Sequence, residues 1–147
     1  MEQLSEMSAS TLCMASASAK LATQKLWALI VEDEILVATY LADMLAEHGF
    51  HIAIATTVEK AMELINERNS FAIAFIDLNL TDQPGIELIA DLQMICPTLP
   101  IVMATAYGAM AKQDMDNNAR QIPILDKPYE KQALAQVLLR LGFYLPS

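Results

Sequence analysis

The chain is poor in positive charge. Its 147 residues include 9 Lys and Arg against 18 Asp and Glu, a net charge of −9. Neutralising nucleic-acid phosphates or docking on anionic lipid needs clustered basic side chains, so this balance argues against both partners. Cysteine is scarce. Cys13 and Cys96 are the only two, too few for a disulfide framework and without metal-ligand spacing, and a reducing compartment fits best. Glycine occurs four times, and none follows the first apolar run as a phosphate-cradling loop, which disfavours a dinucleotide-binding unit. No apolar run approaches the roughly 20 residues of a membrane span. The N-terminus carries Glu2 and Glu6 and lacks a basic region ahead of a continuous apolar core, so it does not read as a secretory signal. The cytoplasm is the expected location.

What is present is an apolar, regularly alternating chain of single-domain length, 54% hydrophobic. Residues 1–24 are rich in Ser, Ala, Met and Thr and are expected to form a flexible extension, or a marginal helix given Leu4, Met7 and Met14. Residues 25–147 are expected to fold. Leu26–Val31, Phe71–Ile76 and Pro100–Ala104 are continuous apolar runs, the pattern of strands buried on both faces. His51–Ala55 and Ile122–Leu125 read as shorter strands. Between them, Ile35, Ala38, Leu41, Ala42 and Leu45 recur at helical spacing before Gly49. Thr57 suits an N-cap before Val58, Ala61, Met62 and Ile65. A third helix opens at Pro84 or Gly85 and ends by Pro97, and a last one runs from Pro128 with Leu134, Val137, Leu138 and Leu141 on one face. The helix due between strands four and five, over Ala106–Gln121, is weak: Gly108, Asp114, Asp116, Asn117 and Asn118 interrupt it, with Met110 and Met115 giving little stripe. Strands alternating with helices predict an α/β fold, a doubly wound parallel sheet of five strands with helices on both faces and the fourth helix weak or irregular.

In such a sheet, ligands bind beyond the carboxyl ends of the strands. Strand one ends at Glu32-Asp33-Glu34, strand three at Asp77-Leu78-Asn79, strand four at Thr105 and strand five at Asp126-Lys127-Pro128. Three acids, a hydroxyl and a lysine thus meet at one edge. Glu32, Asp33 and Asp77 repel one another if all are ionised and dry, and a divalent cation relieves that conflict; hard oxygen ligands suit Mg²⁺. Asp77 can then serve as a carboxylate nucleophile toward phosphorus, with Lys127 supplying charge and Thr105 a hydrogen-bond donor. Each residue alone reads as a solvated loop or turn residue; the conjunction carries the reading. His48 and His51 flank a turn away from the lysine and hydroxyl and read as surface residues.

At this point the chain, from about Leu26 to Leu141, resembles the receiver domains of bacterial two-component response regulators. The matching motifs are LIVEDE (29–34), FIDLNL (75–80), ATAYG (104–108) and LDKPY (125–129), with Asp33 standing 44 residues before Asp77 and Thr105 standing 22 before Lys127. The resemblance implies a flavodoxin-like sheet of order 2-1-3-4-5. It makes Asp77 the phosphoacceptor, Asp33 a direct Mg²⁺ ligand, Glu32 a ligand acting through water, and the Asn79 backbone carbonyl a further ligand. It makes Thr105 the switch hydroxyl, Lys127 the phosphoryl-pairing lysine, and Gly85 the glycine of the loop after the acceptor strand.

Two departures stand out. Ile124 occupies the position three before the lysine where receivers usually carry an aromatic, and Thr81-Asp82-Gln83-Pro84 replaces the commoner Pro-x-Met-Asp loop. ATAYG, the weak fourth helix and IPILDKP (122–128) are similar to an alphaproteobacterial branch of single-domain receivers, in which Tyr107 becomes the substitute aromatic.

The implied partner is a sensor histidine kinase or a histidine phosphotransfer protein, and the domain catalyses only its own phosphorylation and dephosphorylation. With no output domain expected after Leu141, a downstream protein target is expected at the face formed by the Ala106–Gln121 region, strand five and the last helix, on a monomer or weak dimer. Two other readings are a pseudo-receiver that binds without phosphorylation, favoured by Ile124, and a haloacid-dehalogenase-type phosphatase. The phosphatase reading is disfavoured because Asn79 stands where a second aspartate is needed.

Overall fold

The computed structural model describes residues 26–68, 70–106 and 122–143. The elements run β1 (Leu26–Val31), α1 (Ile35–Glu47), β2 (Phe50–Ala55), α2 (Val58–Arg68), β3 (Ile73–Asp77), α3 (Gly85–Ile95), β4 (Ile101–Thr105), β5 (Ile124–Asp126) and α4 (Lys131–Arg140). The strands form one sheet of order β2-β1-β3-β4-β5, with every neighbouring pair parallel. The expected sheet order and the helical cover on both faces are therefore present.

The central strands are apolar throughout because both of their faces are covered. Successive residues go to opposite sides. Leu29 and Val31, Ala74 and Ile76, and Ile101 and Met103 pack with Ala61 and Ile65 of α2 and Leu88 and Leu92 of α3. Ala28 and Ile30, Ile73 and Phe75, and Val102 and Ala104 pack with Leu41 and Leu45 of α1 and Leu134 and Leu138 of α4. The large apolar side chains among these are essentially inaccessible to water, each worth about 1.5–3 kcal/mol of transfer free energy. This two-sided packing fixes the level at which every strand ends.

The strand ends lie a residue or two from where apolarity alone sets them. Asp77 and Thr105 are the last residues of their strands rather than the first beyond them, because Asp77 pairs with Ala104 and Thr105 with Asp126. The fifth strand is Ile124–Asp126, not Ile122–Leu125: its ladder with β4 begins at Met103 opposite Ile124. The last helix begins at Lys131 rather than Pro128, because Glu130 before it is still extended. Thr57 caps α2 as expected, its Oγ1 accepting the Lys60 N–H at 3.1 Å. Gly49 follows α1 at φ 91°, a left-handed conformation that suits glycine. Cys96 is buried, and Cys13 lies outside the described residues. Residues 1–24, Tyr107, Met110 and Met115 lie outside the described residues. Among the described residues no helix is long and apolar enough to cross a membrane.

At the amino edge of the sheet, the Arg68 guanidinium lies 3.7 Å over the Trp27 ring, and His51 stacks on Trp27 at 4.9 Å. His51 is thereby placed at the opposite end of the strands from the acids.

One loop is tight enough to demand a particular residue. Gly85 donates its N–H to the Leu78 carbonyl at 3.0 Å, and a Cβ at Gly85 would overlap the Asp77 carbonyl oxygen and stand 2.8 Å from Leu78 Cα. Backbone cannot give way as a flexible side chain can. Gly85→Ala is expected to lower unfolding stability by about 1–3 kcal/mol in urea titration; a loss below about 0.5 kcal/mol would show that the loop relaxes freely.

Candidate functional site

The carboxyl edge of the sheet gathers the expected residues. Val31 pairs with Ile76, so continuing the register by one residue sets Glu32 opposite Asp77. Glu32 is held there by its own N–H, which donates to the Ala55 carbonyl at 2.9 Å. Glu32 and Asp77 are buried, 1% and 3% exposed, and Asp33 is partly exposed. One carboxylate oxygen from each of Glu32, Asp33 and Asp77 falls within a set spanning no more than 4.8 Å.

Lys127 closes the other side. Its Nζ lies 2.7 Å from Glu32 Oε1 and 3.3 Å from Asp77 Oδ1. Its backbone N–H donates to the Thr105 carbonyl at 3.0 Å, so the lysine and the hydroxyl residue hang from one ladder. Thr105 is 1% exposed. Asn79 is exposed, and its N–H donates to Asp77 Oδ1 at 3.1 Å. Glu32 Oε2 accepts the Glu34 N–H at 3.2 Å, whereas the buried Oε1 has the Lys127 ammonium and no further partner. The structure thus brings Glu32, Asp33, Asp77 and Lys127 together, with Asn79 and Thr105 joined through backbone bonds. Ile124 is half-buried against the α2–α3 side of the core.

This arrangement has known counterparts. The response regulator receiver domain family matches residues 28–139. The chain belongs to the response regulator receiver family. Among curated relatives it is similar to the photosynthetic apparatus regulatory protein RegA of Rhodobacter capsulatus, with 33% identity across 80% of this chain and 64% of that protein. Among solved structures it resembles a CheY-like response regulator receiver domain from Methylobacillus flagellatus (TM-score 0.70, 26% identity, 81% of this chain and 100% of that one). It also resembles a sensor protein from a Polaromonas species (TM-score 0.71, 29% identity, 79% and 94%). The chain spans 64% of the RegA length and 18–24% of several transcriptional regulators that it also matches.

Within this receiver, two features were not legible from motifs. The first is Asp82, whose Oδ2 accepts the Val58 N–H at 2.9 Å across 24 residues of sequence; no local pattern announces so distant a cap. The second is Tyr129, buried beside the acids, whose phenol is pushed up by burial and then by the negative charges of Glu32 and Asp77.

The electrostatics of the site are lopsided. Burial pushes the Glu32 carboxyl up to about 7, and the Asp77 charge adds to this, while the Lys127 and Glu34 hydrogen bonds oppose it. For Lys127, burial favours the neutral amine, but the Glu32 hydrogen bond and both carboxylate charges outweigh it and raise the ammonium above its ordinary value. One lysine satisfies itself between two acids without fully satisfying either.

A pH dependence follows. The Glu32 carboxyl titrates at about 7 in the folded chain and near the ordinary carboxylate value of 4.5 when unfolded, so the folded state binds the extra proton between these values. That contribution to stability is complete below about pH 4.5 and is lost as pH rises through about 7. In chelator, denaturant titration of wild type should show Glu32 costing about 1–3 kcal/mol between pH 4.5 and 7.5. Glu32→Gln should flatten this slope, and an unchanged slope would mean that Glu32 is ionised throughout.

Proposed function

We propose that Asp77 accepts a phosphoryl group from the phosphohistidine of a sensor histidine kinase or a histidine phosphotransfer protein, in an Mg²⁺-dependent reaction, and that the phosphorylated receiver signals through protein–protein contact. The observation that carries this reading is the single lysine shared by two buried carboxylates, Glu32 and Asp77, at the carboxyl edge of the sheet.

The donor set fits a hard divalent cation: three carboxylates converge, and a buried Glu32 oxygen has only an ammonium for company. Asp33 and Asp77 would hold Mg²⁺ directly, with Glu32 through water and the Asn79 carbonyl as a further ligand. When bound, the cation supplies positive charge to the acids and to the incoming phosphoryl oxygens. The Asp77 carboxylate forms a new O–P bond as the phosphohistidine N–P bond breaks, and the imidazole leaves with the electron pair and takes up a proton. Lys127 neutralises a phosphoryl oxygen, and the Thr105 hydroxyl donates to another. The domain on this reading turns over no other substrate.

A protein donor is supported by Ile35, Leu36 and Tyr40, which stand 54%, 82% and 50% exposed on the first turns of α1, directly after Asp33 and Glu34. A protein surface covers such side chains; a small phosphodonor does not need them. For output, a groove of about 300 Å³ between β5 and α4, lined by Ile124, Asp126, Pro128, Glu130, Ala133 and Val137 among others, supports the β5–α4 face as the docking surface. Residues 25–147 are taken as the receiver and 1–24 as an extension, in a cytoplasmic monomer or weak dimer. Ile124 favours a second reading, a pseudo-receiver that binds its partner without phosphorylation.

Incubation with phosphoramidate and Mg²⁺ should add one phosphoryl group by intact mass, labile to hydroxylamine as an acyl phosphate is. Asp77→Ala should abolish the addition, and Lys127→Ala should slow it by about 10²-fold or more. Wild type that stays unmodified, or Asp77→Ala modified equally, would favour the pseudo-receiver.

A further inference from the structure

We propose that Asp82 is a positioning residue for the acid pocket: its carboxylate ties the loop after β3 to the start of α2, and so steadies the Asn79 N–H that orients Asp77. The proposal rests on the Mg²⁺-dependent acceptor reading above.

The argument starts from an orphan donor. The first N–H groups of any helix lack an intrahelical acceptor. In α2, Thr57 Oγ1 takes the Lys60 N–H at 3.1 Å, so the helix caps itself in part. The Val58 N–H is instead taken at 2.9 Å by Asp82 Oδ2, from a loop 24 residues away. Apolar packing runs alongside, since Leu80 and Val58 are buried in the same core cluster.

The loop that Asp82 anchors carries one of the two donors to Asp77 Oδ1. Its near end is fixed by the Leu78 N–H on the Ala104 carbonyl at 3.2 Å, and its far end by the Gly85 N–H on the Leu78 carbonyl at 3.0 Å. Asn79 lies between these points, exposed, with its N–H on Asp77 Oδ1 at 3.1 Å. The same Oδ1 receives Lys127 at 3.3 Å. Loosening the loop at Asp82 therefore frees one of the two donors that orient the Asp77 carboxylate. Pocket assembly is affected more than the chemistry of an assembled pocket, so the metal requirement is the sensitive readout.

The experiment uses the full chain. Losing a cap costs about 1 kcal/mol, so Asp82→Ala is expected to fold. Amide exchange at Val58 and Asn79 is followed in metal-free protein, and phosphorylation by phosphoramidate is followed across a range of Mg²⁺ concentrations. Asp82→Ala should speed exchange at both amides and raise the half-saturating Mg²⁺ concentration roughly tenfold. Its rate at saturating Mg²⁺ should stay within about twofold of wild type. Asp82→Asn keeps an oxygen acceptor for the Val58 N–H, and it should rescue both properties. Thr57→Ala, which weakens α2 without touching the loop, should leave half-saturation unchanged.

An Asp82→Ala protein with a freed Val58 amide and unaltered Mg²⁺ half-saturation overturns the proposal while leaving the acceptor reading standing. So do equal defects in Asp82→Ala and Asp82→Asn, which assign the effect to charge, and an equal defect in Thr57→Ala, which assigns it to helix stability. A wild type that takes no phosphoryl group at any Mg²⁺ concentration overturns both readings together.

Discussion

Glu32 and Asp77 face one another at the end of two adjacent parallel strands, and Lys127 reaches between them with its Nζ 2.7 Å from one and 3.3 Å from the other. Two carboxylates and one ammonium carry a net negative charge when both acids are ionised, in a place where Glu32 and Asp77 are nearly closed to water. The lysine gains from both acids and remains firmly charged, while each acid has only a share of it. Burial, and then the Asp77 charge, make Glu32 hold its proton to a higher pH, against the pull of Lys127. The remaining deficit of positive charge keeps this edge of the sheet from being a closed salt bridge.

That knot is costly, and the rest of the fold offsets it. Two core clusters, one on each side of the sheet, fix the register in which Val31 stands opposite Ile76 and Asp77 opposite Ala104. A slip of one residue would exchange the faces of every side chain in a strand, so the acids cannot separate by sliding without exposing Phe75 or Ile76 to the wrong side. Their repulsion is held by packing that lies outside the site. Gly85 belongs to the same constraint: the chain leaving Asp77 must fold back so closely that a methyl group has no room beside the Asp77 carbonyl.

Much of this was legible in the sequence, for physical reasons. LWALIV, FAIAFI and PIVMA are apolar without alternation because both faces of their strands are covered, and such runs are visible to simple inspection. The chemistry-bearing residues were legible because a parallel sheet delivers all of its strand ends to one edge. Strand limits were less so. Apolarity ends at Ile76, but the hydrogen-bond ladder continues through Asp77, so the polar residue that matters most is also the last member of the strand. β5 is short, and only its pairing with Met103–Thr105 defines it. Asp82 registered only as a departure from a commoner loop sequence, because its partner Val58 is 24 residues away and a backbone N–H has no sequence signature.

The distribution of hydrogen bonds at the site also separates what is rigid from what is adjustable. Glu32 is pinned by its backbone to Ala55, and Lys127 by its backbone to Thr105. The backbones of both residues therefore move only as the sheet edge moves. Asp77 is the last residue of a buried strand, but the N–H on its Oδ1 comes from an exposed loop residue, Asn79. The acid pocket is thus a stiff frame on two sides and a loop on the third. A phosphoryl group on Asp77 would add bulk and negative charge beside two carboxylates that are already buried. The exposed Asn79, and Ala106 beyond the end of β4, are the parts of the site where rearrangement costs least packing.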